Sequence, residues 1–270
     1  MDNGIYYDLP ERDYHAINRV SNSYLSRLAE CPAAAKVPRE DSPQMAFGRA
    51  LHSYVLDGAE KFRGSHIVAP AADKRTKAGK EEWEAFVKLS EGKELLTKED
   101  SDTIFTMSNA IHAHPVARNL LSEGAREVSV LWTDPFSGMD CKARIDMPIA
   151  GLSTLIDLKT TKDASPKGFQ RAIMNYGYYR QGAFYLDGIN AHQNLTGVSY
   201  DLFAFIAVEK EPPHRVEVYT LSQDFLNFGR TEYRMLMDLE SKCRFNNEWP
   251  HYTNKTVMEI DLPKWAGGEL

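Results

Sequence analysis

The sequence predicts an α/β protein in which a central mixed β-sheet is flanked by helices. The predicted strands are short runs of alternating or continuous apolar residues at 126–132, 139–149, 152–159, 199–209 and 214–221. Segments with apolar residues three and four apart indicate helices, the longest at 222–245. Strands and helices that alternate along one chain are typical of layered α/β folds.

Length and composition indicate a globular protein. The chain has 270 residues, of which 43% are hydrophobic, and this is enough to bury a large core in one domain. No apolar run approaches the length needed to span a membrane. Residues 1–14 are acidic and lack the basic start and apolar stretch of a signal peptide. We therefore expect a single domain over residues 1–270, a cytoplasmic location and no membrane partner.

Several element boundaries follow from local signals. A helix should begin near Ser42-Pro43 and run to about residue 57, because proline suits the first helical turn and glycine follows at 58. A second helix is expected over 98–121. Residues 1–19 show little periodicity and are expected to pack as an irregular arm.

Two apolar runs in the middle of the chain carry acids near their ends. The first run, 142–149, alternates as a strand does and places Asp146 on one face. After a turn, the run 152–159 places Asp157 and Lys159 together on one face. Two adjacent strands can therefore bring both carboxylates and the ammonium into one small pocket.

These residue types suit the hydrolysis of a phosphodiester. Two carboxylates supply hard oxygen ligands for Mg²⁺ and leave some of its waters in place. The metal lowers the pKa of a bound water and holds phosphate oxygens, and a second metal can act at the leaving oxygen. An ammonium close to a metal-binding Asp can orient the nucleophile or stabilise charge on the phosphate. The tripeptide Asp-x-Lys alone is common and more often ends a solvated strand, so the assignment depends on its surroundings.

Those surroundings resemble the PD-(D/E)xK nuclease superfamily, and within it the RecB-like branch that includes the RecE-type exonucleases of prophage recombination systems. Asp146, Asp157 and Lys159 match the acidic and basic positions of the motif, although the residue before Asp146 is not proline. Gly48-Arg49-Ala50-Leu51-His52 matches the G-x-x-x-H helix of the branch, and Gln181-Gly182-Ala183-Phe184-Tyr185 matches its Q-x-x-x-Y helix. The signatures occur in the family's order, and the resemblance covers most of the chain.

The resemblance implies a PD-(D/E)xK restriction-endonuclease-like fold with a Mg²⁺ site in which Mn²⁺ can substitute. It assigns metal ligation to the side chains of His52, Asp146 and Asp157 and to the backbone carbonyl of Leu158. The same three side chains and Lys159 are then the expected catalytic residues. Without the family pattern, His52 would be interpreted as a core or boundary histidine.

One further metal ligand is suggested by relatives that carry a Glu at the start of the hairpin leading to the site. Glu127 matches this position, and a solvent-facing strand carboxylate is an equal alternative.

Candidate DNA contacts lie on two predicted helices and one strand: Arg49, Arg144, Tyr178, Gln181 and Tyr185. Arg144 could bind a phosphate or form a salt bridge that orients Asp146. Tyr178, Gln181 and Tyr185 are spaced by three and four and share one helical stripe, which is more often core than functional. Gln and Tyr are poor core residues unless their polar atoms find partners, whereas stacking and hydrogen bonding to a frayed DNA strand use both halves of these side chains.

The RecE resemblance implies digestion of linear double-stranded DNA from its 5′ ends to mononucleotides, leaving 3′ single strands for a RecT-like single-strand-annealing protein in recombination and repair. Processivity requires capture of the DNA, which relatives achieve as a ring of four subunits, so we expect a homotetramer. The formal charge of −6 contrasts with DNA binding, since affinity comes mainly from phosphate neutralisation. A local basic stretch with Lys74, Arg75, Lys77 and Lys80 fits a DNA-contacting loop and a solvated loop equally well.

Other functions remain open at this point. One is a RecB-like nuclease acting on single-stranded or flap DNA. Another is a DNA-binding recombination scaffold that has lost turnover, and a third is an assembly protein with no role on DNA. The cysteines Cys31, Cys141 and Cys243 are widely separated, which argues against a disulfide framework, a zinc site and the iron–sulphur cluster of some RecB-like relatives.

Overall fold

The structure is a computed structural model that describes residues 1–37, 42–73, 75–253 and 256–262. Its strands are β1 Gly4–Tyr6, β2 His66–Val68, β3 Glu94–Leu96, β4 Val128–Thr133, β5 Asp140–Ile145, β6 Met147–Ile149, β7 Thr154–Thr161, β8 Leu202–Glu209 and β9 Val216–Thr220. Its α-helices are α1 Glu11–Ala16, α2 Asn22–Glu30, α3 Pro32–Ala35, α4 Pro43–His52, α5 Ala59–Ser65, α6 Lys77–Leu89, α7 Lys98–Ala113, α8 Pro115–Leu121, α9 Pro166–Tyr176, α10 Tyr178–Asn190, α11 Gln193–Thr196 and α12 Gln223–Asn246. The predicted class, mixed α/β with helices flanking mixed sheets, is confirmed.

The strands are divided over separate sheets rather than joined in one. β1, β4 and β5 form an antiparallel sheet in the order β1-β4-β5. A second sheet has the order β6-β7-β8-β9, in which β7 and β8 are parallel and the other pairs are antiparallel. The helices α9 to α11 connect β7 to β8, as a parallel pair requires a long crossover. A short parallel pair, β2 and β3, stands apart.

Strand β7 lies between two apolar clusters and sends alternate side chains to each. Leu155 belongs to the cluster that includes side chains of α10 and α12. Ile156 and Leu158 belong to the cluster that includes side chains of α4 and α7. Because side chains alternate along a strand, Asp157 and Lys159 continue the face that begins with Leu155. The polar residues thus extend a buried apolar row, which accounts for their burial.

The predicted strand over 142–149 is wrong as one element, because the chain bends at Asp146. β5 ends at Ile145 and β6 begins at Met147, and the two strands belong to different sheets. Pro148 fits this arrangement, since β6 is an edge strand and proline cannot donate to a ladder. The expectation that Asp146 continues the alternation of β5 is therefore corrected: Asp146 lies at the junction of two sheets.

Two predicted helices are also divided. The helix expected over 42–57 is α-helical only to His52 and continues as a π-helix over Ser53–Asp57. The helix expected over 98–121 ends at Ala113, and a new helix begins at Pro115. Proline disfavours helical backbone in the residue before it, and His114 is extended, with ψ of 117°.

The N-terminal segment is more ordered than predicted. β1 pairs with β4, and α1 follows directly after Pro10. The expected irregular arm is therefore corrected to a strand and a short helix that pack beside the strands leading to Asp146.

Among the helices of the described residues, none is both long and apolar enough to cross a lipid bilayer.

Candidate active site

Asp146 occupies the bend between β5 and β6, where its carboxylate replaces a strand partner. Met147 pairs with Ile156 at the start of β6. Two residues further along β7, the Leu158 N–H donates to Asp146 Oδ2 at 2.8 Å instead of to a strand carbonyl. The carboxylate is therefore fixed against the backbone of β7.

His52 ends α4 and reaches the same point of β7. Its Nε2 is 2.6 Å from the carbonyl oxygen of Leu158, and its Nδ1 is 3.4 Å from Asp146 Oδ2. The imidazole, the carbonyl and the carboxylate thus form one group of donor atoms. The structure brings together the three donors predicted at this end of the site.

Asp157 is almost completely buried, with 1% of its surface exposed, and has a different partner on each oxygen. Gln181 Nε2 donates to its Oδ1 at 2.6 Å. Lys159 Nζ forms an ion pair with its Oδ2 at 2.6 Å. Burial, the largest single influence, would lower the pKa of Lys159, but Asp157, Tyr178 and Asp146 together outweigh it and raise the pKa above its usual range. Lys159 therefore stays protonated at neutral pH.

Glu127 faces this group and does not lie on a solvent-facing strand. It precedes β4 in the left-handed region, with φ of 51°, and its N–H donates to the Asp146 carbonyl at 2.9 Å. Arg144 Nε donates to Glu127 Oε2 at 2.6 Å. Ligand atoms of His52, Glu127 and Asp146 all lie within 4.8 Å of one another. The expectation that Arg144 forms a salt bridge with Asp146 is corrected, because its ion-pair partner is Glu127.

The carboxylates crowd one another electrostatically. Burial raises the pKa of Asp146 to about 7, with a further contribution from Asp157 and a smaller one from Glu127, while His52 opposes the shift. A divalent cation relieves such crowding. Carboxylate oxygens, a backbone carbonyl and one imidazole nitrogen form a donor set suited to Mg²⁺ or Mn²⁺. The residues present therefore fit the metal that the sequence predicts.

Four of the residues predicted to contact DNA have neighbours within the protein. Arg49 hydrogen-bonds to Glu94 of β3 at 3.4 Å. Gln181 is buried against Asp157, so its amide orients a carboxylate. Tyr185 is half-buried beside it, and burial raises the pKa of its hydroxyl. The ring of Tyr178 lies 4.9 Å from Lys159 Nζ.

The basic stretch after residue 73 is only partly described. Lys74 lies outside the described residues. Arg75 pairs with Asp73 at 3.0 Å and Lys77 lies 3.9 Å from Glu81, all of them exposed. Such pairs are compatible with the solvated alternative and leave the DNA-contacting one a prediction.

Sequence reasoning missed two supports of the site. The Leu9 carbonyl, in the segment expected to be irregular, accepts a hydrogen bond from Arg144 at 2.9 Å. Glu94, which pairs with Arg49, lies in a strand of three residues that was not predicted. Pro10 before two acids is a helix-start signal that could have identified α1 and thereby the support from Leu9. No local signal marks Glu94.

Comparisons with known proteins agree with this geometry. A family model described as "PDDEXK-like domain of unknown function (DUF3799)" matches residues 21–260. The crystal structure of a "putative exonuclease" from Eubacterium rectale aligns with a TM-score of 0.64 and 16% identity, covering 95% of this chain and 96% of the other. At that identity the likeness is one of fold.

A second solved structure, of SSO0001, has a TM-score of 0.31 and 15% identity over 77% of this chain and 90% of its own, which is too low a similarity to carry an argument. No curated protein matches the sequence. The family model, in contrast, spans most of the chain. This chain therefore belongs to the family of PDDEXK-like domains designated DUF3799.

Proposed function

We propose that this protein is a deoxyribonuclease that uses Mg²⁺, with Mn²⁺ as a substitute. One observation carries the proposal. Lys159 Nζ lies 2.6 Å from Asp157 Oδ2, and on the same strand the carbonyl oxygen of Leu158 lies 2.6 Å from His52 Nε2. An ion pair that only stabilises the fold would not require potential metal ligands beside it.

In this proposal His52, Asp146, Asp157 and the Leu158 carbonyl hold the metal, with Glu127 as a further ligand. When bound, the metal supplies a water of lowered pKa and positive charge opposite the phosphate oxygens. The sequence left two roles open for Lys159, water activation and phosphate stabilisation. Its raised pKa favours the second, since a protonated amine donates hydrogen bonds and cannot accept a proton.

Gln181 has a positioning role in this scheme. Its amide fixes Asp157 Oδ1, so that Oδ2 is the oxygen turned to Lys159. Arg144 acts in the same way on Glu127. Tyr178 packs its ring beside the Lys159 ammonium, and Tyr185 and Arg49 remain proposed contacts to the DNA strand.

The finer activity is a proposal by resemblance to RecE-type enzymes. The protein would degrade linear duplex DNA from 5′ ends to mononucleotides and leave 3′ overhangs for a RecT-like annealing protein. Processive action would require a ring, for which we propose a homotetramer. The full-length fold match to the E. rectale protein supports an exonuclease within this family.

The test uses linear duplex DNA labelled at its 5′ end and, in a parallel reaction, the same duplex as an unlabelled covalently closed circle, each with Mg²⁺ and with EDTA. We expect release of labelled mononucleotide from the linear form only, with the circle intact and no release in EDTA. Lys159→Ala should release the label at least about a hundredfold more slowly.

Cleavage confined to single strands or flaps would establish the RecB-like alternative. DNA binding without cleavage under either metal would establish the inactive scaffold.

A further inference from the structure

We infer that Tyr176 is a substrate-binding residue that stacks on a nucleobase next to the phosphate facing Lys159. The inference rests on the proposed nuclease function and adds to it how the strand is held. Tyr176 was not among the residues that the sequence motifs single out.

The geometry that carries the inference is a pair of aromatic rings leading from solvent to the site. Tyr176 is the last residue of α9 and is 66% exposed. Its ring centroid lies 5.6 Å from that of Tyr178, with an interplanar angle of 33°. The Tyr178 ring in turn lies 4.9 Å from Lys159 Nζ. These two steps place the outer ring within reach of a base attached to the phosphate at Lys159.

A single exposed aromatic side chain is common on protein surfaces and requires no explanation by itself. Tyr176 differs because it packs on the ring of Tyr178, which core side chains hold in place. Tyr178 contacts Phe169 and Phe205, with ring centroids 6.3 and 5.7 Å away. Both phenylalanines are buried in the core. The outer ring thus rests on a rigid base, which lowers the entropy lost when a ligand stacks on it.

The backbone at this point is also fixed. Gly177, between the two tyrosines, has φ of 66°, a conformation that favours glycine. A Cβ at Gly177 would lie 2.7 Å from the guanidinium of Arg180. The junction of α9 and α10 therefore favours glycine, and the two tyrosines flank it.

The segment that ends at Tyr176 is basic. Helix α9 contains Lys167 and Arg171 and no acidic residue, although the whole chain carries a net charge of −6. Lys162, in the segment just before α9, is also exposed. Arg171 lies 3.5 Å from Asp163, so one of the three cations is partly neutralised. Proteins that hold single strands without reading their sequence combine basic residues, which follow the phosphates, with aromatic rings, on which the bases stack.

The occupant is therefore a base of a single-stranded or frayed DNA end. One side of Tyr178 is occupied by the Lys159 ammonium, which leaves the exposed ring of Tyr176 to receive the base. Every base has a π-face, so the contact would tolerate any sequence, as an exonuclease requires.

The test places 2-aminopurine, whose fluorescence falls on stacking, at the terminal base of a frayed duplex. Binding is followed in EDTA at low salt, where no cleavage interferes, and kcat and KM are then measured on the same DNA with Mg²⁺. The variants are Tyr176→Ala and Tyr176→Phe. The matched control is Tyr252→Ala, which removes a ring of similar exposure, 70%, beside Glu30 at the end of α2.

We expect wild type, Tyr176→Phe and Tyr252→Ala to quench the fluorescence, and Tyr176→Ala to lose the quenching and to raise KM about tenfold, in the range of one base stack. A purely structural role would lower the melting temperature of Tyr176→Ala and leave quenching in the folded protein unchanged, which would overturn the inference. If Tyr176→Ala still quenches the fluorescence while the protein cleaves DNA, the inference about Tyr176 is overturned and the proposed nuclease function stands. A wild type that neither binds nor cleaves any DNA overturns the proposed function as well.

Discussion

Lys142 and Lys159 look alike from the sequence and differ in their partners. Lys142 is buried, and the side chain of Lys159 is 17% exposed. Each ammonium packs over a tyrosine ring, Lys142 at 4.6 Å from Tyr14 and Lys159 at 4.9 Å from Tyr178. Lys142 donates to the backbone carbonyls of Tyr14, His15 and Ile17, which lie at the C-terminal end of α1. Cations are favoured at that end of a helix. Lys159 instead faces a buried carboxylate.

The different partners move the two pKa values in opposite directions. Burial lowers the pKa of Lys142 to about 8, since neutral carbonyls offset only part of the cost of burying the charge. For Lys159 burial also lowers the pKa, but Asp157, with smaller contributions from Tyr178 and Asp146, more than offsets burial, and the pKa rises. The comparison teaches that shielding a lysine from solvent does not by itself indicate a catalytic role. The charge of the group that the lysine faces is the better indicator. Lys142 holds the N-terminal segment in place, and Lys159 is the proposed phosphate partner.

The largest expected difference is in activity. Lys159→Ala should lower kcat by about 10²–10³, the loss typical of removing one donor to a developing negative charge. Lys142→Met should keep kcat within about tenfold of wild type, because the lysine contacts only backbone carbonyls of α1. Cleavage of end-labelled duplex by equal amounts of folded protein measures both. Equal losses in the two variants would remove the distinction between the lysines.

The free energy of unfolding should depend on Lys142. Lys142→Met leaves the Tyr14 and Ile17 carbonyls without their donor and should lower the free energy of unfolding by about 1–3 kcal/mol. For a chain of this size that is a fall in melting temperature of roughly 2–4 °C for each kcal/mol. Calorimetry of wild type and variant gives the difference. A variant as stable as wild type would show that the α1 carbonyls find other partners.

A smaller effect is the pH dependence of that difference. With a folded-state pKa near 8, Lys142 holds fewer protons in the folded than in the unfolded chain between pH 8 and its usual value of 10.5. The free energy of unfolding of wild type relative to Lys142→Met should therefore rise with pH across this window and stay constant below it. Urea unfolding at several pH values measures the change. A relative stability that falls with rising pH would mean that the carbonyls raise the pKa.

The smallest effect on kcat should come from removing the hydroxyl of Tyr178, because the attraction between the Lys159 ammonium and this side chain depends on the aromatic ring. Tyr178→Phe should change kcat by no more than about twofold, and Tyr178→Leu by a factor equivalent to about 0.5–2 kcal/mol. Steady-state cleavage of linear duplex separates these values. A large loss in Tyr178→Phe would assign the hydroxyl a direct contact with DNA.

The same comparison shows what could be predicted from the sequence. The strand period places Asp157 and Lys159 on one face, where they form an ion pair. The G-x-x-x-H spacing places His52 at a helix end, where it lies beside Asp146; the donor atoms within 4.8 Å of one another belong to His52, Glu127 and Asp146. Both arguments use short-range geometry. The α1 end that receives Lys142 lies about 125 residues away in the chain, and no local pattern reports such a contact.

The bend at Asp146 escaped prediction for a related reason. In the sequence, apolar residues alternate through Asp146 without a break. In the structure β5 and β6 lie in different sheets, and between them the Asp146 carboxylate accepts the hydrogen bond from Leu158 N–H. The partners of Gln181 and Arg144 depend on side-chain direction after packing. Sequence identified the residue types of the site, and packing determined which of them support the others.

The central claim is that a divalent cation binds between His52, Asp146, Asp157 and the Leu158 carbonyl. Anomalous diffraction from crystals soaked in Mn²⁺ tests it most directly. The account predicts a peak within about 2.0–2.5 Å of these donor atoms, with Lys159 beside it, and loss of that peak in Asp146→Asn crystals. A structure whose Mn²⁺ lies elsewhere, or whose donors bind none at millimolar concentration, would contradict the account.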